Sequence, residues 1–559
     1  MKQTFKETYN KPWFAFLCGG LLGVIVFVLF YGVGVLEPTY VEWIFNNQFE
    51  SDISQHYFGW VFFRNGEWMW PLGMTDALSY PLTSSVIFTD SIPHWALFFK
   101  LLSPLLPETF QYFGWFGILC FFMQGAMGAM IVKELTGNTT YAIVASLFFI
   151  FATPLFRRMF IHTALGAQWL ILLSLYLYFS LEKLSFKKSL LLWTLTTWMA
   201  AGTHIIILTI CCIILFFSAI RSVKNYRWLP STVLLVVPAL VAVLTMYILG
   251  GLSSETNPVG STNDGGGLGW YGVNVNMLIN PIEDKNSTFL PALPISDRSS
   301  DDGYSYLGLG LILMAICAII FQTVRWFKEK RRITWGPWVW TVVMVVCLYV
   351  FAASPRVTCG SRVLFEYHPP KPILFVWEVF RCTGRFFWPI YYLAVIGIVV
   401  GFWHLWRNKA VCCMLVGFAL CIQALDIVPA MKHTASDTVS LKCELRELSD
   451  EWDDLFSKNS HLCILKSEDP NFIMEYDLMT HPELLCVASR HHVKINTFYF
   501  AHSGPTYQNK IRQFAEASVT KCKADVVYLF CDHQDVMLDA CGTKLTVRDI
   551  DGYLVGTKF

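Results

Sequence analysis

The chain has 559 residues, of which 55% are hydrophobic, 16% aromatic and only 15% charged, and its mean hydropathy is +0.47. A soluble globular protein carries about 25% charged residues, so composition excludes an ordinary soluble domain and points to a chain that lies mostly in lipid. A net charge of +1 offers no footprint for a nucleic-acid partner.

The first apolar segment, 13–36, is long enough to cross a bilayer and lacks a small-residue cleavage site, so it reads as a span and not as a signal peptide. Further apolar runs lie near 110–132, 140–156, 161–181, 189–202, 203–220, 228–250, 304–324, 334–354, 384–405 and 410–430, which predicts eleven spans. Basic residues mark cytoplasmic loops. Lys2, Lys6 and Lys11 precede the first span; Lys183, Lys187 and Lys188, then Arg221, Lys224 and Arg227, then RWFKEKRR (325–332), then Arg407 and Lys409 follow. Eleven spans place all of them on the side of the N-terminus. The loops 37–109, 251–303 and 355–383 then lie outside, together with the tail from about residue 431. The expected fold is an α-helical polytopic membrane domain over 1–430, followed by a small extracytoplasmic α/β domain over 431–559.

Most polar residues collect on the outer side. The first outer loop contains ESDISQHYFGWVFFRNGEW (50–68), with Glu50, Asp52, Gln55, His56 and Arg64, and continues to Asp90. Ser51 and Asp52 are also good helix caps before ISQHYFGW. SIPHWALFFKLLSPLLP (91–107) is short, holds Lys100 in its middle and has prolines near both ends, which fits an amphipathic helix lying in the interface. FRRMFIHT (156–163) falls outside, against the positive-inside pattern. Either a helix is miscounted, or Arg157, Arg158 and His162 face an anionic ligand. The Gly-rich middle loop offers Trp270, Tyr271, Asn274 and Asn276 to a sugar, with no phosphate-binding fingerprint. Arg381 and Arg385, spaced by four, share a helix face. They either hold a phosphate bidentately or anchor the helix end by snorkelling.

In the tail, HLCILKS, NTFYFA and DVVYLFC read as strands, and SDEWDDLFSKN, HPELLCVASRHH and YQNKIRQFAEASVTK as helices. Alternation of this kind predicts a parallel sheet. Of the 17 cysteines, Cys359, Cys382, Cys443, Cys463, Cys486, Cys522, Cys531 and Cys541 lie outside the expected spans, an even number that permits disulfides in an oxidising compartment.

A carboxylate soon after the first span, aromatic surfaces, and arginines from distant loops on one side suit a lipid-linked phosphosugar. The layout resembles the GT-C clan of membrane glycosyltransferases, which use polyprenyl- or dolichyl-phosphate sugars and carry a key carboxylate in the first outer loop. It is more closely similar to a bacterial multipass family of unknown function. That family's pattern stands here as SDISQHYFGWVFFRNGEWMWPLG, FTDSIPHWALFFKLLSPLLP, YSYLGLG, FRCTGRFFWP and NTFYFAHSGP. The resemblance implies a transferase in the plasma (inner) membrane, moving a sugar from a polyprenyl-phosphate donor to an envelope glycan or lipid acceptor. Asp52 is the implied catalytic carboxylate, with Glu50 as its nearest competitor. Arg381, Arg385, Arg157, Arg158 and His162 would bind the donor phosphate. Gln55, His56, Arg64, Asp90, Trp270 and Tyr271 would bind substrate. The paired Asp-Glu of some clan members is absent, since Ile53 follows Asp52; use of a divalent metal stays open, and no other cofactor is expected. The alternative is a flippase for a lipid-linked glycan. A flippase should place ionisable groups near the bilayer midplane, whereas the charges here gather at one surface.

Overall fold

The computed structural model describes residues 9–45, 52–253, 271–296, 301–329, 338–371, 382–439, 445–465, 481–500, 521–530 and 544–558, with single residues inside 372–381 and 509–520. Among the described residues, seven helices are long and apolar enough to cross a membrane: Pro12–Tyr31, Phe113–Thr136, Ile205–Tyr226, Trp228–Ile248, Leu309–Lys328, Thr383–Leu405 and Lys409–Val439. Each has at least 20 residues, which at about 1.5 Å per residue spans the roughly 30 Å of a hydrocarbon core. Shorter apolar helices cover Thr139–Ile150, Thr163–Phe179 and Val339–Ala353.

Of the eleven expected spans, seven stand as such long helices among the described residues, and two of the other runs are interrupted. The run 140–156 is broken. One helix ends at Ala145, a short one covers Leu147–Ile150, and a third begins at Thr153 with Pro154 in its first turn. A proline starts a helix well and cannot continue one. The run 161–181 opens as a 3-10 turn, Thr163–Gly166, and becomes helical only over Trp169–Phe179. These interruptions matter, because they turn Arg158 and His162 inward instead of leaving them on a smooth helix surface.

Helix Pro12–Tyr31 packs along Phe113–Thr136 at backbone contact. Gly19 and Gly23 form a small-xxx-small face. A Cβ at Gly19 would lie 2.7 Å from Ala129 Cβ, and one at Gly23 would lie 2.6 Å from the Phe121 carbonyl carbon. In lipid, where apolar burial gives little net drive, such close approach supplies the packing.

Polar residues sort to two ends. At one end Lys183 pairs with Glu134 at 2.5 Å, Tyr226 donates to Leu184 O, and Arg221 donates to Tyr178 O. This end carries the basic loops. At the other end the three expected outer loops pack together: Gly384 N donates to Tyr271 O, Val273 N to Ala352 O, and Gly73 N to Ile248 O. The segment 91–107 forms helix Pro93–Leu101 and a 3-10 turn, Ser103–Leu105. Its Lys100 is buried over Phe63 and Trp68, while Phe98, Leu101 and Leu105 stay exposed. The helix thus carries one exposed apolar face.

The tail contains a five-stranded sheet in which Lys494–Ile495, His461–Leu465 and Val526–Phe530 are parallel neighbours. Tyr553–Thr557 and Thr546–Ile550 add to it antiparallel, so the expected all-parallel sheet is mixed. The missed hairpin turns on Asp551-Gly552, both with positive φ, the Asp-Gly signature of a two-residue turn. NTFYFA is not a strand: its described part, Asn496–Phe500, follows the two-residue strand Lys494–Ile495. This domain docks on the segment 65–80. Ile495 N donates to Ala77 O, Tyr80 N to Ile495 O, Asn65 Nδ2 to Ser489 O, and Lys494 pairs with Asp76.

Candidate functional site

Asp52 immediately precedes helix Ile53–Asn65. Its backbone accepts the first helical hydrogen bond, from His56 N, yet its side chain makes no capping bond. The carboxylate turns instead to His162, with Oδ2 3.1 Å from Nε2. His162 Nδ1 lies 3.5 Å from Arg158 Nη1. Arginine only donates, so Nδ1 is the accepting nitrogen and Nε2 carries the proton toward Asp52. Burial, then the charges of Arg158 and Arg385, hold His162 well below its usual range. It is a neutral donor that orients the Asp52 carboxyl group.

Arg158 and Arg385 meet as the sequence suggested, but on a carboxylate that sequence reading passed over. Arg158 Nη2 and Arg385 Nη2 each lie 2.8 Å from Asp302 Oδ1, and Arg385 Nε lies 3.0 Å from it. All three side chains are nearly inaccessible, at 6% to 9% exposure. Burial pushes the Asp302 carboxyl up, but Arg385 and then Arg158 outweigh it and hold it well below the usual carboxylate range. Two cations on one anion leave a single positive charge. The backbones reach this arrangement through glycines. A Cβ on Gly384 would sit 2.8 Å from Tyr271 O and 2.9 Å from Gly303 N, so a side chain there would push Arg385 away from Asp302. Arg385 occupies a 3-10 turn, Thr383–Phe387, ahead of helix Trp388–Leu405.

Asp90 borders the same cluster. It has φ 52, the left-handed region, at a corner between a 3-10 turn and helix Pro93–Leu101. Its Oδ1 is 3.6 Å from His204 Nε2. His204 Nδ1 caps its own helix by accepting from Ile206 N, so its proton points at Asp90. Burial, then the charge of Asp52, push the Asp90 carboxyl up to about 7, against the pull of Arg385. Two carboxylates in one site thus differ in environment, the usual route to distinct acid and base roles.

Other expected site residues are placed elsewhere. Gln55 donates to Tyr499 O at 2.7 Å, fastening the helix to the C-terminal domain. Arg64 donates to the carbonyls of Glu108 and Pro107, both at 2.8 Å, closing the end of the interfacial segment. Both fasten neighbouring segments together. His56 is fully buried beside Phe113. Arg157 is partly exposed, and its charge reaches Tyr304. Tyr271 contributes the carbonyl that holds Gly384. Glu50, Trp270 and Arg381 lie outside the described residues. No disulfide joins Cys359, Cys382, Cys463, Cys486 and Cys522 to one another; Cys443, Cys531 and Cys541 lie outside the described residues. Asp302 and His204 were missed. The one available signal for Asp302 was its position in DDGYSYLGLG, directly before a span on the side where the arginines gather.

Within the long helix Lys409–Val439, Asp426 is buried and closed off. Its carboxylate accepts from Ser287 Oγ, from Tyr306 OH at 2.8 Å and from Leu309 N at 2.8 Å. It ties the middle loop to the bundle and offers no open ion site. No three His, Cys, Asp or Glu side chains group as metal ligands among the described residues.

No curated protein matches the chain. The model of the domain of unknown function DUF6311 matches residues 20–428, and that of the DUF6311 C-terminal domain matches residues 451–558. With most of its length so matched, the chain belongs to the DUF6311 family.

Proposed function

We propose that this protein is a membrane glycosyltransferase. It moves a sugar from a polyprenyl-phosphate donor to an envelope glycan or lipid acceptor at the outer face of the plasma membrane, with the N-terminus cytoplasmic and the C-terminal domain outside. The observation that carries this reading is the convergence of Asp52, His162, Arg158, Asp302, Arg385 and Asp90, from separate segments, into one cluster at the loop-rich end of an apolar bundle.

In the step, Asp52 takes the proton of an acceptor hydroxyl as its oxygen attacks the anomeric carbon. His162 holds the carboxylate in place through its Nε2 proton. The bond from the anomeric carbon to the phosphate oxygen breaks, and the electron pair leaves with the lipid phosphate. Arg385 and Arg158 stabilise that developing charge, while Asp302 keeps both guanidiniums fixed and costs one of their two charges. A fixed fork grips two phosphate oxygens, which an ammonium cannot do.

Purified protein in proteoliposomes, given a panel of radiolabelled polyprenyl-phosphate sugars and an envelope glycan extract, should transfer label from at least one donor. Arg385→Lys should slow transfer at least tenfold at equal expression. Snorkelling predicts equal rates, since lysine anchors an interface as well as arginine does. Absence of transfer from every donor, or unchanged rates in Arg385→Lys, would remove the reading.

A further inference from the structure

Two side chains beside the Asp52–His162 pair, His56 and the partly buried Asp90, have no part in that step. His56 is fully buried, and neither ring nitrogen has a hydrogen-bond partner among the described residues. It stands one helical turn after Asp52, on the same face of helix Ile53–Asn65, and near enough to His162 to disfavour charge there. Burial pushes it down to about 3, so it is a neutral imidazole with one donor and one acceptor. Asp90 is the second. Apart from His204 Nε2 at 3.6 Å, its carboxylate has no polar contact within bonding range among the described residues. The chain brings the two together, because Ser91 Oγ donates to His56 O at 2.6 Å and also bonds Thr89 Oγ1 at 2.7 Å. The corner that carries Asp90 is pinned to the helix turn that carries His56.

An orphaned buried polar group costs about 1–3 kcal/mol, and each one in a folded protein calls for a cause. The chemistry on this flank narrows what the cause is. Asp52 and Asp90 make it acidic, so it repels phosphate, whose complement lies around Asp302. A neutral imidazole gives no counter-charge for an anion, and no three His, Cys, Asp or Glu side chains group as metal ligands among the described residues. What remains complementary is a neutral ligand whose several hydroxyls both donate and accept. We infer that His56 and Asp90 form a hydroxyl-binding subsite for a neutral sugar, flanking the arginines that face the phosphate. Its role in catalysis rests on the proposed transferase reading; sugar binding itself does not. The hydroxyls belong either to the donor's sugar ring or to an acceptor glycan.

The test uses the full-length protein in nanodiscs, with methyl glycosides of glucose, mannose, galactose and arabinose as probes and saturation-transfer NMR as readout. At least one glycoside should bind wild type at pH 8. Its signal should fall at least fivefold in His56→Phe and in Asp90→Asn. Wild-type binding should weaken as the pH drops from 8 to 6, because protonated Asp90 loses acceptor capacity. Asp52, Arg385 and His204 are the charged or titratable groups around Asp90, so a pH step that disappears in Asp90→Asn belongs to Asp90. Should His56→Phe fail to fold, Asp90→Asn decides alone, since asparagine adopts the left-handed conformation readily. Binding of a polyprenyl phosphate by each variant reports an intact fold. Competition by a polyprenyl-phosphate sugar assigns the hydroxyls to the donor ring, and persistence assigns them to the acceptor. If no glycoside binds wild type, or if neither variant changes binding, the subsite is overturned. Loss of the transferase reading would show separately, as polyprenyl phosphate binding that ignores substitution of Arg385.

Discussion

A single carboxyl oxygen, Asp302 Oδ1, holds both Arg158 and Arg385. Removing it leaves two buried guanidiniums facing each other. Breaking a buried pair from one side costs about 3–5 kcal/mol, so Asp302→Ala should lower stability by about that amount in a chemical-unfolding series in detergent; an unchanged midpoint would show that the pair carries nothing. The folded Asp302 carboxyl is held below its unfolded value, so its stabilisation is present above the ordinary carboxylate range and is lost only in strong acid. Asp90 behaves in the opposite sense. Its folded value is raised to about 7 from 3.8, so its contribution is fully present below the unfolded value and is lost as the pH rises through 7. Raising a carboxyl by one pH unit weakens the folded state, once the group is ionised, by about 1.4 kcal/mol. Asp90→Asn should therefore stabilise the protein by a few kcal/mol at pH 8 while impairing its function. The gain should shrink toward pH 5, and thermal unfolding at the two pH values checks the sign.

At the scale of elements, the site depends on how closely irregular segments approach. Gly384 and Gly303 let the segments carrying Arg385 and Asp302 meet. Gly384→Ala forces atoms into an occupied space, which typically costs about 1–3 kcal/mol. Transfer should fall at least tenfold, while Gly397→Ala, where nothing lies within 4 Å, should transfer normally. Equal rates in both would show that the approach does not set the site. The same elements explain what the sequence revealed. Apolar length marks long helices well, so Pro12–Tyr31 and Trp228–Ile248 were legible. The interruption at Ser146 to Pro154 was not, since its apolar run continues without a change in composition. Arg158 and His162 were found because they break a charge pattern. Asp302 was missed because one carboxylate before a span breaks none; only the folded chain brings it to two arginines 144 and 83 residues away. The tail hairpin had a readable Asp-Gly turn, but its strand Thr546–Ile550 is mostly exposed, with a burial pattern that does not alternate.

Over the whole molecule, the loop-rich end and the basic end are separated by the apolar bundle. Helix Lys409–Val439 links them in one continuous 31-residue run, about 46 Å long at the usual rise, which exceeds a bilayer core. Reporter fusions at Lys409 and at His433 should fall on opposite membrane faces, with Lys409 cytoplasmic. The same face for both would undo the orientation and every outer-side assignment with it. The C-terminal domain is fastened to the helix that bears Asp52 and His56, through Gln55 to Tyr499 O and Asn65 to Ser489 O. The two matched parts of the chain thus pack together at the loop-rich end.

The most direct test of the transferase reading is the rate of sugar transfer by Asp52→Asn in proteoliposomes, beside wild type at equal expression. Asparagine keeps the shape, and the side chain makes no capping bond that could be lost, so the fold should persist. General-base catalysis is worth about 10²–10⁴-fold. A loss of that size, with wild-type thermal stability and wild-type binding of polyprenyl phosphate, is the predicted result; transfer by Asp52→Asn within threefold of wild type would contradict it.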